Sequence, residues 1–131
     1  VPAAVDSLFA FATRDGADPA LDIMTEVVAF LQRSVAIAEQ AGIPRDRIVV
    51  DPGIGFGKTP EQSIETLAKL DRLAVLGLPL LVGASRKRFI DTVSPSPVTE
   101  RLGGSIAAHV LAMEAGAAII RTHDVRETLQ A

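Results

Sequence analysis

Apolar residues recur at helical spacing in several stretches of the chain. In the first of these stretches, Val27, Leu31 and Val35 fall on one face, as in an amphipathic helix that packs on a core. The proline after Asp18 is expected to open this helix, because proline is favoured at the first helical position. The apolar spacing and the capping signals together predict four helices, over about 20–41, 59–76 and 99–114 and from Asp124 onward.

Two of the predicted helices begin with the sequence of a capping box. Thr59 is followed three residues later by Gln62, and Asp124 by Glu127. In such a box the first side chain accepts a hydrogen bond from the backbone N–H of the later residue, whose own side chain reaches back. We therefore expect side-chain caps at both helix starts.

Short apolar runs that lack polar alternation lie between the predicted helices. They predict three buried strands, over 47–50, 79–82 and 118–122. Strands of this kind are buried on both faces, which is typical of a parallel sheet with helical crossovers. The alternating order predicts an α/β fold of about three βα units with parallel strands. Residues 1–17 carry no clear pattern and stay unassigned, and 84–98 is expected to be a mobile loop with a short helical turn at about 88–92.

The composition narrows the classes of function. The chain has 131 residues, enough for one domain or part of a larger one. Its net charge of −3 and aromatic content of 4% argue against a nucleic-acid partner, and no apolar run is long enough to span a membrane. Cysteine is absent, which excludes disulfides and thiolate chemistry and is typical of a cytoplasmic protein. The first residue is Val1, which suggests a processed or trimmed chain or a fragment.

Polar side chains follow each predicted strand directly. Asp51 comes after the first strand, Ser85 and Lys87 after the second, and Arg121 and His123 at the end of the third. Parallel strands share one direction, so their carboxyl ends meet on one face, where binding sites are built. The sequence therefore predicts that these side chains surround one site.

A glycine-rich loop covers residues 51–58, with glycine at every second position from Gly53 to Gly57. Glycines let the backbone bend and approach a ligand closely. The loop ends like a nucleotide-binding P-loop, but Pro52 stands where that pattern needs its first glycine. We therefore reject a P-loop. A dinucleotide-binding fingerprint is rejected too, because the glycines here are spaced Gly-x-Gly-x-Gly. Asp51 alone would serve equally well as a turn cap or as a ligand acceptor.

The basic residues at the predicted site suit an anion. Arg86, Lys87 and Arg88 form either a solvated basic patch or a positive rim for an anionic or carbonyl-bearing ligand. Arg121 and His123 are two residues apart, so a strand would direct both to the same side. A guanidinium beside an imidazole suits a phosphate or pyrophosphate, and a salt bridge at the rim is the alternative.

Two further features of the third helix are expected to be structural. His109 lies mid-helix and is expected at the surface or at an interface, not as a ligand. The small residues at 103–105 are expected to permit close packing of the helix on a strand.

Four segments, taken together, resemble the dihydropteroate synthase family, which belongs to the pterin-binding enzymes. They are DPGIGFGK at 51–58, GASRK at 83–87, ERLGGS at 100–105 and RTHD at 121–124. The resemblance extends over about 22–131 and favours the synthase over the pterin-binding domain of methyltetrahydrofolate methyltransferases. It implies that 18–131 is the C-terminal part of a TIM-type (β/α)₈ barrel. The barrel would be incomplete, because such a fold needs about 250 residues and eight strands.

The resemblance also implies an activity. The family condenses 4-aminobenzoate with 6-hydroxymethyl-7,8-dihydropterin pyrophosphate to give 7,8-dihydropteroate and pyrophosphate in folate biosynthesis, and sulfonamides compete for the aminobenzoate position. By resemblance, Lys87, Arg121 and His123 would be catalytic. The substrates would be bound by Asp51, Gly55, Phe56, Gly83, Ser85, Arg86, Lys87, Arg121 and His123. In this assignment Asp51 and Lys87 hold the pterin, whereas Arg121 and His123 hold the pyrophosphate with Arg86 at the rim.

The resemblance implies Mg²⁺ as cofactor, with its protein ligand outside this chain, and a homodimer through the late helices in the full-length enzyme. The 131-residue chain alone is expected to be weakly active or inactive. One alternative of another class stays open, a non-catalytic truncated fragment that folds only with a partner.

Overall fold

The computed structural model describes residues 22–131, so the unassigned segment 1–17 and the predicted cap at Asp18 lie outside the described residues. The helices are α1 (Ile23–Gln40), α2 (Pro60–Ala68), α3 (Arg88–Val93), α4 (Leu102–Glu114) and α5 (Val125–Gln130). The strands are β1 (Leu81–Val82) and β2 (Ile119–Ile120). Short 3₁₀ helices cover Arg45–Arg47, Leu70–Leu76 and Val98–Glu100.

The described strands are parallel, as predicted. Leu81 of β1 pairs with Ile119 of β2. On the other side of β1, Val50 forms a parallel bridge with Leu80. Three parallel segments therefore lie side by side with β1 in the middle, and helices connect them in an α/β arrangement.

The strand predicted over 47–50 is wrong in its extent. The exposed residues Arg45–Arg47 form a 3₁₀ turn, and only Val50 joins the sheet. Pro44 is extended ahead of this turn. The N–H groups of Arg47 and Ile48 donate to the carbonyls of Pro44 and Arg45 within the turn, so they do not pair with a strand and pairing begins late.

The helix predicted over 59–76 is divided in two. After α2 the chain tightens into the 3₁₀ helix, where Leu70, Leu73 and Leu76 are all buried. A 3₁₀ helix has three residues per turn, so leucines spaced by three fall on one face. Gly77, in the left-handed conformation at φ 62°, then ends the segment.

The predicted capping boxes differ in outcome. At α2, Thr59 Oγ1 accepts from the Gln62 N–H at 3.1 Å, and Gln62 Oε1 accepts from the Thr59 N–H at 3.0 Å. At α5 the prediction is wrong, because the Asp124 side chain makes no cap hydrogen bond. Its carboxylate binds Arg86 instead. A charged partner competes successfully with a cap, since ionic hydrogen bonds are stronger.

The short helical turn predicted at about 88–92 is confirmed as α3 (Arg88–Val93), whose Phe89 and Ile90 are buried. Of the small residues at 103–105, Gly104 packs closely on α3, whereas Gly103 has open space beside it and Ser105 Oγ accepts from the Arg86 N–H at 2.8 Å. A methyl group at Gly104 would lie 2.5 Å from Ile90 Cγ2. The close approach of these two helices explains why the position is glycine.

One hydrophobic core joins α1, the 3₁₀ helix at Leu70–Leu76, the strands and α4. α1 begins after Asp22, whose carboxylate accepts from the Met24 N–H at 3.2 Å, and Met24 and Val27 of this helix are buried in the core. Within residues 22–131 no helix is long and apolar enough to cross a membrane.

Candidate functional site

A pocket of about 590 Å³ lies at the carboxyl ends of the parallel segments. Residues that follow each of the three segments line this pocket, as expected for parallel strands that end on one face. The lining residues are Asp51, Phe56, Gly83, Ser85, Lys87, Arg121, Thr122 and His123. Gly55 adjoins the pocket through Lys87, and Arg86 is not among the lining residues.

Asp51 and Arg121 form an ion pair across the pocket. Asp51 Oδ2 lies 3.1 Å from Arg121 Nη2, while Oδ1 accepts from the Gly53 N–H at 2.8 Å. The turn cap and the rim salt bridge considered from the sequence are therefore both present. Gly83 makes room for this pair, because a methyl group there would lie 2.8 Å from Arg121 Nη2.

Lys87 and Phe56 also line the pocket and contact each other. The Lys87 ammonium lies 3.9 Å from the centre of the Phe56 ring, a cation–π contact. Burial lowers the pKa of Lys87, the nearby Arg121 charge lowers it further, and Asp51 opposes both effects. Gly55 has φ +79°, and a methyl group there would lie 3.1 Å from Lys87 Cδ. The left-handed glycine thus clears the path of the lysine stem.

Lys58 holds the glycine-rich loop together. Its ammonium donates to the carbonyls of Pro52, Gly53 and Phe56 at 2.7, 2.9 and 3.2 Å. Burial lowers its pKa to about 8, and the Asp51 charge opposes that shift. Sequence reasoning treated this lysine only as the end of a failed P-loop. Its position at the end of a glycine-rich loop was the signal in the sequence for a side chain that binds the carbonyls of that loop.

Ser85 connects the second and third segments. Its Oγ accepts from the His123 N–H at 3.1 Å and lies 2.8 Å from His123 Nδ1. β2 ends at Ile120, so strand alternation does not extend to Arg121 and His123. Thr122 therefore also lines the pocket, a residue that the assumption of alternating faces missed.

The chain turns at Arg86, which lies between Ser85 and Lys87, two residues that line the pocket. Its φ of 56° is unusual for a residue other than glycine. Its guanidinium makes two bonds to Asp124, at 2.7 and 3.1 Å, and its N–H donates to Ser105 Oγ at 2.8 Å. The Arg86 guanidinium lowers the pKa of Asp124. The side chain expected at the anion rim is thus paired with a carboxylate.

His109 is buried, so its expected place at the surface or an interface is wrong. The residue is 0% exposed and its Nε2 accepts from the Ala84 N–H at 3.3 Å. Within residues 22–131 its Nδ1 has no hydrogen-bond partner. Ser105, Ala108 and Ala112, at helical spacing from one another, are the other buried residues of α4. Their spacing was the signal in the sequence that His109 lies near the inner face.

Acid should destabilise the fold through His109. Burial lowers the pKa of this imidazole from its ordinary value of 6.5. The unfolded chain therefore binds a proton at a pH where the folded chain does not, and the free energy of unfolding falls as the pH drops below 6.5. Urea unfolding at about pH 7.5 and about pH 5.5 should show this loss, and His109→Gln should reduce it. An equal loss in both proteins would contradict the assignment.

The described residues form no metal centre. Across residues 22–131, no group of three or more His, Cys, Asp or Glu side chains could hold a metal ion. They therefore do not fit the Mg²⁺ that the resemblance implies, whose protein ligand is expected outside this chain.

Comparison with known proteins agrees with this geometry. The family model described as pterin binding enzyme matches residues 10–123. Dihydropteroate synthase of Escherichia coli K12 is 44% identical over 110 residues, which are 84% of this chain and 39% of that protein. The Coxiella burnetii dihydropteroate synthase in complex with pteroic acid superposes with a TM-score of 0.84 and 41% identity, over 92% of this chain and 44% of that one. The Xanthomonas albilineans dihydropteroate synthase with 4-aminobenzoic acid superposes with a TM-score of 0.83 and 42% identity, over 89% of this chain and 44% of that one.

The chain thus spans about two fifths of the length of the curated synthase from E. coli, 39%. The similarity nevertheless includes every segment that contributes to the pocket, since 51–58, 83–87 and 121–123 all lie within the matched residues. The match of 10–123 covers most of the sequence, and this chain belongs to the pterin binding enzyme family.

Proposed function

We propose that this chain supplies the pterin and pyrophosphate side of a dihydropteroate synthase active site. The reaction would join 4-aminobenzoate to 6-hydroxymethyl-7,8-dihydropterin pyrophosphate. The observation that carries the proposal is the meeting of Asp51, Lys87, Arg121 and His123 around one pocket. Related enzymes with pteroic acid or 4-aminobenzoic acid superpose on most of the chain and support this choice of ligands.

The pterin would bind through Asp51 and Lys87. A carboxylate with two oxygens accepts hydrogen bonds from the pterin amino group and a ring nitrogen. The Lys87 ammonium donates to the ring carbonyl, and its lowered pKa reflects a partly desolvated charge. Asp51 pairs with Arg121 and accepts from the Gly53 N–H, so the pterin would replace one of these partners.

The pyrophosphate would bind Arg121 and His123. As the amine of 4-aminobenzoate attacks the pterin methylene, a carbon–nitrogen bond forms and the carbon–oxygen bond to pyrophosphate breaks. The electron pair leaves with pyrophosphate, and the amine loses a proton. A guanidinium and an imidazole placed in advance stabilise the negative charge that develops on the leaving group. No covalent enzyme intermediate is needed.

The aminobenzoate would lie beside Phe56 and Ser85. The Phe56 ring is 43% exposed and faces the Lys87 ammonium, so an aromatic ligand would find an apolar wall next to a positive charge. Ser85 Oγ already contacts His123 and provides a polar group at the same edge.

The architecture proposed for the whole protein is a (β/α)₈ barrel of which 18–131 form the C-terminal part. Val49 and Ile119 are apolar, lie at the sheet and are 46% and 42% exposed, which supports further barrel segments beside them. We propose a homodimer through the late helices, supported by the exposed Leu111 and Met113 of α4. A cytoplasmic location is in keeping with the absence of cysteine.

Calorimetric titration of the 131-residue chain with the dihydropterin pyrophosphate tests the proposal. We expect saturable binding to the folded chain and little or no turnover when 4-aminobenzoate is added. Methyltetrahydrofolate, which lacks the pyrophosphate, is the comparison ligand and should bind more weakly. Tighter binding of methyltetrahydrofolate would favour the methyltransferase type of pterin domain, and a folded chain that binds neither ligand would contradict the proposal.

A further inference from the structure

We propose that His109 is a positioning residue for the candidate site, although it lies outside the pocket. Its imidazole accepts a hydrogen bond from the Ala84 N–H. This bond holds in place the loop that carries Ser85 and Lys87, both of which line the pocket. The role in ligand binding rests on the proposed function, whereas the role in holding the loop does not.

The Ala84 N–H needs an acceptor that the sheet does not provide. β1 ends at Val82, whose carbonyl accepts from the Arg121 N–H at 2.9 Å. Ala84 lies beyond that ladder and is 0% exposed, so water does not reach it. A buried N–H without a partner is costly, and the His109 imidazole from α4 supplies the partner.

Both polar groups of the Ala84 residue are used to shape the loop. The N–H donates to His109, and the carbonyl accepts from the Lys87 N–H at 3.4 Å. The next residue, Ser85, lies 2.8 Å from His123 Nδ1 through its Oγ. These contacts therefore connect His109, through the loop, to Lys87 and to His123, both of which line the pocket.

The acceptor role specifies one tautomer. Nε2 must be unprotonated to accept the Ala84 N–H, so the neutral ring carries its proton on Nδ1. Burial lowers the pKa of His109, which favours this neutral form. An imidazolium has donors on both nitrogens and would not accept this hydrogen bond.

Substitution by glutamine and by leucine separates the hydrogen bond from the packing. The Gln side chain places an amide oxygen near the position of Nε2, whereas Leu has a similar size and no acceptor. With inorganic pyrophosphate as the calorimetric probe, we expect roughly tenfold weaker binding in His109→Leu and recovery to within about threefold of the wild type in His109→Gln. Ala112→Gly, which weakens α4 and keeps the His109 acceptor, is the control and should bind normally.

Nuclear magnetic resonance gives the readout that does not depend on a ligand. In the wild-type chain the His109 Nε2 resonance should be that of an unprotonated nitrogen, and the Ala84 amide should exchange slowly with deuterium. Exchange should accelerate in a folded His109→Leu chain, and the His123 ring resonances should shift. A protonated Nε2 in the wild type would overturn the proposal. So would a folded His109→Leu chain with unchanged Ala84 exchange and unchanged His123 resonances.

The two sets of measurements separate the proposals. A wild-type chain that does not bind pyrophosphate contradicts the proposed function, while the amide exchange and the tautomer still decide the role of His109. If His109→Leu does not fold, the wild-type nitrogen resonance and the behaviour of His109→Gln decide it.

Discussion

Arg121→Ala is expected to weaken the binding of inorganic pyrophosphate by roughly 10- to 100-fold, the largest effect of any single change at the pocket. The guanidinium supplies several donors in a planar fork that matches phosphate oxygens. Its removal also deprives the Asp51 carboxylate of the guanidinium that lies 3.1 Å away. The pocket would then lose a positive charge and expose a negative one to the anion.

The titration should be run at low ionic strength, because the Arg121 side chain is 57% exposed and salt screens its charge. Arg33→Ala is the matched control, since it removes the same charge from an exposed position on α1 outside the pocket lining. Equal weakening in both variants would indicate a general effect of net charge. Unchanged affinity in Arg121→Ala would show that this residue is not the anion partner.

Gly104→Ala is expected to lower the free energy of unfolding by about 1–3 kcal/mol. The added methyl group would lie 2.5 Å from Ile90 Cγ2 and 3.3 Å from Cγ1. Ile90 is buried in the core, and a β-branched side chain has little freedom at χ1 to move aside. α3 and α4 must therefore separate, or the isoleucine must leave its preferred rotamer.

Gly103→Ala is the control for this change, one residue earlier on the same helix. No atom lies within 4 Å of a methyl group at Gly103. Alanine has a higher helix propensity than glycine, so the free energy of unfolding of this variant should rise by up to about 1 kcal/mol. Urea unfolding of both variants should show shifts of opposite sign, and a stabilising effect of both would refute the proposed clash with Ile90.

The residues around the pocket are well predicted from local patterns. Asp51, Ser85, Lys87, Arg121 and His123 all line it. The prediction needs only short apolar runs that mark the strands, together with the rule that parallel strands end on one face. The Thr59 cap of α2 is correct for a similar reason, since a capping box joins residues three apart.

The lengths of the elements are less well predicted. The strand expected over 47–50 contributes only Val50, and the second half of the helix expected over 59–76 is a 3₁₀ helix. An apolar run indicates that residues are buried without specifying the backbone conformation that buries them. Pairing partners and the available space in the core make that choice.

The contacts of Arg86 and His109 could not be read from the sequence. Arg86 binds Asp124, 38 residues later, and His109 accepts from Ala84, 25 residues earlier. Pairs so far apart leave no periodic signal, and they form only because α4 and α5 pack beside the ends of the strands. Local sequence therefore determines which residues surround the pocket. The packing of distant segments determines that Arg86 is paired with Asp124 and that the His109 imidazole is kept neutral by burial.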